Sequence, residues 1–524
     1  MPFGVFEENV VADSTSTAVK QNIALASAQS PVFKGRDVIY CDPIDLTDAN
    51  VLAILEKSMI KHEANRIEMQ YLKEYEKGDM PIFYRVKTIR EDVNVKCGSN
   101  YAKLITDFKI GYEFSAPFMF VQRAKDDFLK ADPSQDDKRV ATLNEMLFEQ
   151  GKPGKDIELA HDFKTCGLGY MMAYPKLDES DDIAPFDLIV LNPLNTYCVY
   201  TNDAYRRKMM AVTYSVKENK VSKRFTVYTK DFVYTVEGGK IMAKMPNMIG
   251  KIPIVEFVND QNRQACFEAV LPLADCLNIC NSDRLNDIGQ FVQAILWLNN
   301  CKLDENQQKE LREGGYIQTT STADGRDAKV TYVTTTLNQS ETQALVDYLY
   351  SQMLEIAGVP GRDSATGGNT GSAILLSNGW QLAETMAKTM EHTFSASEME
   401  LLDVIIAILR NTPDVPAEMK ELRRSDVLVK SPRNKTYDLV SRTSALSNMI
   451  NVGIDPSKAI TAVDIFDDAQ QTYLDSIDRI DKILFEVRDR TTQVVQSGDG
   501  NSVDGVKSAD DVHAEQNQEN ASAV

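Results

Sequence analysis

Apolar residues recur at helical spacing from Ser372 to Arg410, through Leu376, Trp380, Ala383, Met386, Ala387, Met390, Phe394, Leu401, Ile405, Ile406 and Leu409. Helices in globular proteins average about 12 residues. One this long belongs to a bundle, a repeat or an assembly, and Pro413 and Pro416 end it. A second helical pattern covers Phe267 to Leu298, about 32 residues that would span on the order of 48 Å, with Pro272 expected to bend or reset its first turn. The chain then makes a small tip. A polar helix over Asp304 to Glu313 ends at Gly314-Gly315, and two strands, Tyr316 to Thr320 and Ala328 to Val333, flank Asp324-Gly325. A third helix, Glu341 to Ala357, returns. The glycine-rich run from Gly358 to Gly371 reads as a loop between two helices, because it lacks the Lys of a phosphate-binding loop and no βαβ pattern leads into it.

The N-terminal half has a different texture. Residues 1–44 are mixed and weakly patterned, as expected of a loosely ordered arm. A helix starts at Thr47 to Asn50, where small polar side chains can cap it, and stops at Gly78. Pro81 to Ile89 reads as a strand, Asn100 to Gly111 as an amphipathic helix ended by its glycine, and Lys138 to Phe148 and Lys155 to Thr165 as further helix. From Phe186 to Val258 the period becomes alternating, which predicts an antiparallel meander with a hairpin turn at Gly238-Gly239. Strand-like Val427 to Lys430 leads into helices over Tyr437 to Val452, Ser457 to Ile465 and Gln470 to Arg490. The acidic tail from Gln496 is expected to be disordered. The whole is an α+β chain of several structural units, since 524 residues exceed what one core organises.

Composition narrows the chemistry. A net charge of −20 argues against a broad basic face that holds nucleic acid by neutralising phosphates, though not against a protein that lets nucleic acid pass. The eight cysteines include no CxxC pair; Cys276 and Cys280, four apart on a helix, read as small buried hydrophobes before they read as metal ligands. Of the four histidines only His161, beside Asp162, suggests catalysis, and no GxSxG or HExxH accompanies it. No cofactor or metal is expected. No signal peptide is expected, and the longest apolar run, Val404 to Leu409, is far short of a membrane span, so no membrane partner is expected either.

Three blocks carry a resemblance to a known family. The first is Tyr71-Leu72-Lys73-Glu74-Tyr75 through Gly78, then Asn100-Tyr101-Ala102-Lys103, Ile110-Gly111-Tyr112 and Pro117. The second is Gly250-Lys251-Ile252-Pro253-Ile254-Val255-Glu256-Phe257 with Asn259, followed by Asp275, Asn278, Ser282 and Asn286-Asp287. The third is Gly358-Val359-Pro360 with Gly368-Asn369 and Ser372-Ala373. Their order and spacing over residues 45–480 resemble the portal proteins, or head-to-tail connectors, of tailed bacteriophages of Gram-positive hosts.

The resemblance implies an α/β wing over 45–266 (strands within 186–258), stem helices over 267–298 and 341–357, and a small α/β clip over 299–340. It further implies a tunnel loop over 358–371, a long spine helix returning to the wing over 372–435, and a helical crown over 436–495. The long acidic tail, 496–524, and the weakly patterned arm depart from the family's pattern. The implied protein is structural, not an enzyme: a dodecameric ring of identical chains at one capsid vertex of the virion, made in the host bacterial cytoplasm. It would carry double-stranded DNA during packaging and ejection. Its implied partners are further copies of itself, the terminase large subunit, the major capsid and scaffolding proteins, and a head-completion adaptor. Arg362, Asp363, Asn369, Thr370 and Ser372 would lie at the DNA channel, with Arg362 either meeting DNA or pairing with Asp363 or a neighbouring subunit. Lys302, Lys309, Glu310, Arg312, Glu313, Arg326 and Lys329 would form the docking surface of the clip. Two other readings stay open: a metal-dependent hydrolase using scattered carboxylates such as Asp162 and Asp187, and a helical scaffold or adaptor without a channel.

Overall fold

The computed structural model describes residues 28–87, 93–123, 138–176, 183–216, 223–292, 295–299, 329–333, 339–361, 379–413, 415–430 and 439–463, with 465, 472–473, 476–477 and 479. They fall in two compact units divided after residue 438. In chain order, the first unit contains β1 (Tyr40–Cys41), α1 (Val51–Glu76), α2 (Tyr101–Glu113), β2 (Met119–Gln122), α3 (Lys138–Glu149) and α4 (Lys152–Cys166). Next come β3 (Leu168–Pro175), β4 (Phe186–Leu191), β5 (Thr196–Thr201), β6 (Lys208–Val216), β7 (Lys223–Tyr228), β8 (Phe232–Glu237), β9 (Lys240–Pro246) and β10 (Ile254–Val258). The unit ends with α5 (Leu271–Val292), β11 (Ile295–Asn299), β12 (Lys329–Val333), α6 (Gln339–Ala357), α7 (Trp380–Asn411), the short α8 (Ala417–Lys420) and β13 (Val427–Lys430). The second unit holds α9 (Leu439–Asn451) and α10 (Pro456–Val463), which bury Ala459, Ile460 and Val463 and are tied by an Arg442 Nη1 to Val463 carbonyl bond of 3.1 Å.

The mixed α+β class is as the sequence predicts, and most helices fall where periodicity places them, but the long helix begins at Trp380, behind Gly379 at φ +79°, and not at Ser372. α1 begins where Thr47 N–H donates to Asn50 Oδ1 at 2.7 Å, a turn that presents the Thr47 carbonyl to the Asn50 and Val51 amides. It ends at Gly78, whose φ of +98° lets the Gly78 and Asp79 amides reach back to the carbonyls of Tyr75 and Glu74. α2 runs two residues past Gly111, to Glu113, so that glycine does not end it. Its cap is Asn100, whose Oδ1 accepts the Lys103 N–H at 2.9 Å while its Nδ2 donates to the Glu76 carbonyl at 2.6 Å, joining the end of α1 to the start of α2. Asn100→Ala is expected to lower stability by about 1–2 kcal/mol, read by chemical denaturation. An unchanged midpoint would remove the cap's energetic role.

The strands depart from a single meander. β5 to β9 do run antiparallel in order with the Gly238-Gly239 turn at φ +56° and +71°, but β1 joins their edge in parallel to make a six-stranded sheet. β4 and β10 leave it and pair with β3 in a separate three-stranded sheet. β3 is absent from the sequence reading because its first six residues are buried, so Leu168 to Ala173 carry no alternation. Pro81 to Tyr84 form a 3₁₀ turn and not the start of a strand. The expected helix to Leu298 stops at Val292; Ile295–Asn299 is strand β11, paired with β12 in the register Ile295 to Val333, and the proposed partner Tyr316 to Thr320 lies outside the described residues. The polar helix Asp304 to Glu313 lies outside them too, as do the tail from Gln496 and most of Gln470 to Arg490.

The arm is the largest correction. From Ala28 to Cys41 it is laid along the protein and tied down: Asp37 exchanges backbone bonds with the Asn65 side chain at 3.0 and 2.8 Å, and the Ile39 carbonyl accepts the Tyr200 N–H. Two layers of core explain the rest. α1 covers one face of the six-stranded sheet with Val51, Ile54, Leu55 and Met59. α4 and α7 pack with the three-stranded sheet around Phe394, whose ring meets Phe114, Phe118, Phe163 and Phe257 at centroid distances of 4.5–6.1 Å.

Candidate functional site

The paired helices α5 and α6 and the root of the following loop form the region the sequence singles out. α6 ends in a turn set by Gly358 at φ +64°, with Gly358 N–H on the Glu355 carbonyl at 3.0 Å and Val359 N–H on the Leu354 carbonyl at 2.9 Å. Leu354 and Val359 are buried together beneath it. A Cβ on Gly358 would lie 2.2 Å from Met386 Sδ and 3.2 Å from Lys109 Nζ, so the loop root is pressed between α7 and α2. The chain re-enters at Gly379, φ +79°, where an added Cβ would sit 3.7 Å from Pro360 Cα. The two chain ends that border residues 362–378 therefore lie side by side.

α2 holds both ends. Trp380, first residue of α7, packs on Phe108 and Tyr112 at 6.0 and 5.8 Å, and Tyr112 Oη donates to Glu384 Oε2 at 2.7 Å. Tyr101, at the start of α2, meets Tyr350 of α6 at 5.9 Å. Lys109 is buried beside Gly358, and burial holds its pKa below the usual lysine range. The Glu113 carboxylate works against that shift and favours the charged form. Tyr101 and Tyr112 belong to the first resemblance block; Lys109 and Trp380 were not anticipated as parts of this region, because only their placement across α2, α6 and α7 marks them.

α6 carries Glu341, Asp347 and Glu355, all exposed, and no Lys or Arg. Leu345, Tyr348 and Ile356 share one of its faces at helical spacing and are 50, 61 and 49% exposed; Leu285 and Ile288 of α5 are 43 and 46% exposed. The opposite side of α6, with Met353, Leu354 and Ala357, is in the core.

Of the expected channel residues, Arg362, Asp363, Asn369, Thr370 and Ser372 lie outside the described residues, as do Lys302, Lys309, Glu310, Arg312, Glu313 and Arg326 of the clip. Lys329 is placed at the end of β12, opposite Asn299. Cys276 and Cys280 are half-buried, where full burial was expected.

The catalytic alternatives gather nothing. His161 and Asp162 line an open cleft of about 420 Å³ with Lys73, Ile157, Glu158, Val190 and Asn192, which includes no serine, threonine or cysteine. Asp162 is paired with Lys73 at 2.7 Å, and His161 Nε2 lies 3.6 Å from Glu76 Oε1. His62 is stacked on Tyr197 in the core, where burial lowers its pKa to about 4. Among the described residues no group of three or more His, Cys, Asp or Glu side chains is placed to hold a metal, and no helix is long and apolar enough to cross a membrane.

The described residues thus hold a 32-residue helix, two helices that border the paired strands β11 and β12, and chain ends at Pro360 and Gly379 held together on α2. The family model described as phage portal protein, SPP1 Gp6-like, matches residues 56–471, and the chain belongs to that family. It is thus a bacteriophage portal protein, a virion component of the head-tail connection that serves genome packaging. The family is structural and non-enzymatic, and it works as an oligomer at a capsid vertex with capsid and terminase proteins. No curated protein matches the chain.

Proposed function

We propose that twelve copies close into a ring whose bore passes double-stranded DNA into and out of the head. The observation that carries this is the exposed apolar face of α5 and α6, with Leu285, Ile288, Leu345, Tyr348 and Ile356 uncovered on a single chain. Apolar side chains in such a stripe are stabilised by contact with a neighbour. The lack of any Lys or Arg on α6 suits a wall that DNA slides past, since each phosphate neutralised by a cation would add binding free energy and oppose movement.

In this reading residues 45–266 form the wing, and α5 and α6 the stem. The clip spans 299–340, entered where β11 pairs with β12, and 358–371 form the tunnel loop. Residues 372–435 form the spine and its return to the wing, and 436–495 the crown. Arg362, Asp363, Asn369, Thr370 and Ser372 border the bore. Lys302, Lys309, Glu310, Arg312, Glu313, Arg326 and Lys329 face the terminase large subunit and the head-completion adaptor, with capsid and scaffolding proteins around the wing.

Native mass measurement and negative-stain imaging of the purified chain test this. A ring with a central hole is expected, and Tyr348→Glu should shift it toward single chains by placing a charge in each stem contact. A monodisperse small species with no hole overturns the proposal, as does a Tyr348→Glu variant that assembles as well as the parent.

A further inference from the structure

Four polar side chains on α5 are buried on one helix face: Asp275, Asn278, Ser282 and Asn286 are each 2% exposed or less. A polar stripe inside a protein requires partners along its length. Here the partner is main chain. Val95 N–H donates to Asn286 Oδ1 at 2.6 Å, and Asn286 Nδ2 returns to the Val95 carbonyl at 3.2 Å. Cys97 N–H donates to Ser282 Oγ at 2.9 Å, whose hydroxyl lies 3.2 Å from the Cys97 carbonyl and 2.7 Å from that of Asn278. Ser99 N–H donates to Asn278 Oδ1 at 2.8 Å, with Asn278 Nδ2 3.4 Å from the Ser99 carbonyl. One turn earlier, Asp275 Oδ2 accepts the Ser30 N–H of the arm at 2.6 Å.

The match follows from two periods. Four residues of helix advance about 6 Å, and two residues of extended chain advance about 6.6 Å. Side chains at 278, 282 and 286 therefore meet residues 99, 97 and 95 in turn, antiparallel. In an extended chain the N–H and C=O of one residue point the same way and alternate residues point oppositely, so the odd-numbered residues face the helix. Val95 in turn exposes its side chain.

We infer that Asn278, Ser282 and Asn286 are positioning residues: a rack that reads the main chain of 93–99 and fixes where the stem helix sits along the wing. Hydrogen bonds strung along the helix axis resist sliding in that direction, whereas apolar packing, being non-directional, permits it. Side-chain identity in the strap then matters little and the parity of its amides matters much. The role in the stem rests on the portal reading, but the rack is tested independently of any ring.

Amide exchange of the purified chain, resolved by residue, is the experiment. In the parent, the amides of Val95, Cys97 and Ser99 should be protected and those of Lys96 and Gly98 should exchange faster. Asn278→Leu with Asn286→Leu should speed exchange at 95 and 99 by about 100-fold and speed alkylation of the half-buried Cys97 thiol, read by peptide mapping. Val95→Ser should leave the odd-numbered pattern intact. Uniform protection across 94–99 in the parent overturns the rack even if the double variant does not fold, and unchanged exchange in a folded double variant overturns it equally. Failure of the chain to form rings would sink the ring proposal while leaving this pattern in place.

Discussion

Lys152→Met is expected to cost about 3–5 kcal/mol of stability near pH 8, read as a fall in the thermal midpoint. Lys152 Nζ donates to Asp156 Oδ1 and Oδ2 at 2.7 and 2.8 Å and to Glu398 Oε1 at 3.0 Å, and all three side chains are 3% exposed or less. The cluster joins the first turn of α4 to the middle of the long α7. Removing the ammonium leaves two buried carboxylates facing each other without a counter-charge, which is far costlier than losing a surface pair. If the variant melts with the parent, the cluster does not hold the spine helix.

The pH dependence gives that prediction a second readout. Burial, offset by Lys152 and reinforced by the Asp156 charge, raises the Glu398 pKa from its ordinary 4.5 to about 7, and burial raises Asp156 as well. A carboxyl with a raised folded-state pKa favours folding when protonated. Its contribution is complete below pH 4.5 and is lost as pH rises through about 7. In Lys152→Met both acids should be pushed higher still, so the defect should be worst in base and shrink by about half or more on acidification to near pH 5. Glu398→Gln should instead flatten the parent's slope across this range. A Lys152→Met defect independent of pH would assign the loss to packing.

What the sequence disclosed and what it hid separate along a physical line. Helices with one long apolar stripe, such as α1, α6 and α7, are local patterns and were legible, as was the Gly238-Gly239 hairpin. β11 was hidden because Ile295 and Leu296 continue the spacing of the preceding helix, and only pairing with β12 decides between the two. The division of the strands into two sheets depends on β3, which has no alternation to read. In the second resemblance block, Asn278, Ser282 and Asn286 were visible as spaced polar residues, but their meaning lies in a strap almost 200 residues away. The loop root was legible as a glycine-rich turn. Its contact with Lys109 and Met386 was not, since three distant segments converge there.

The arm was the least legible part, and the other large effect concerns it: Gly35→Ala is expected to release residues 28–41 and lower stability by about 2–4 kcal/mol. Gly35 sits at φ +90°, where side chains are disfavoured, and an added Cβ would lie 1.9 Å from the Asn262 carbonyl oxygen, a backbone atom that cannot rotate aside. Around it, Gly35 N–H donates to Glu268 Oε1 at 3.1 Å and Arg36 Nη2 reaches Glu268 at 3.0 Å and Glu68 at 2.8 Å. Once the arm lifts, Glu268 loses its cation and the Gly35 amide, and Asp275 loses the Ser30 amide while keeping the Tyr75 hydroxyl. The loss of these charge-assisted contacts together, added to the backbone strain at Gly35, makes the effect large. Limited proteolysis should cut within 28–41 in the variant and not in the parent. Gly154→Ala, in α4 where an added Cβ meets nothing within 4 Å, is the matched control and should be neutral or stabilising. An arm as resistant in Gly35→Ala as in the parent would mean that it is held without this close approach.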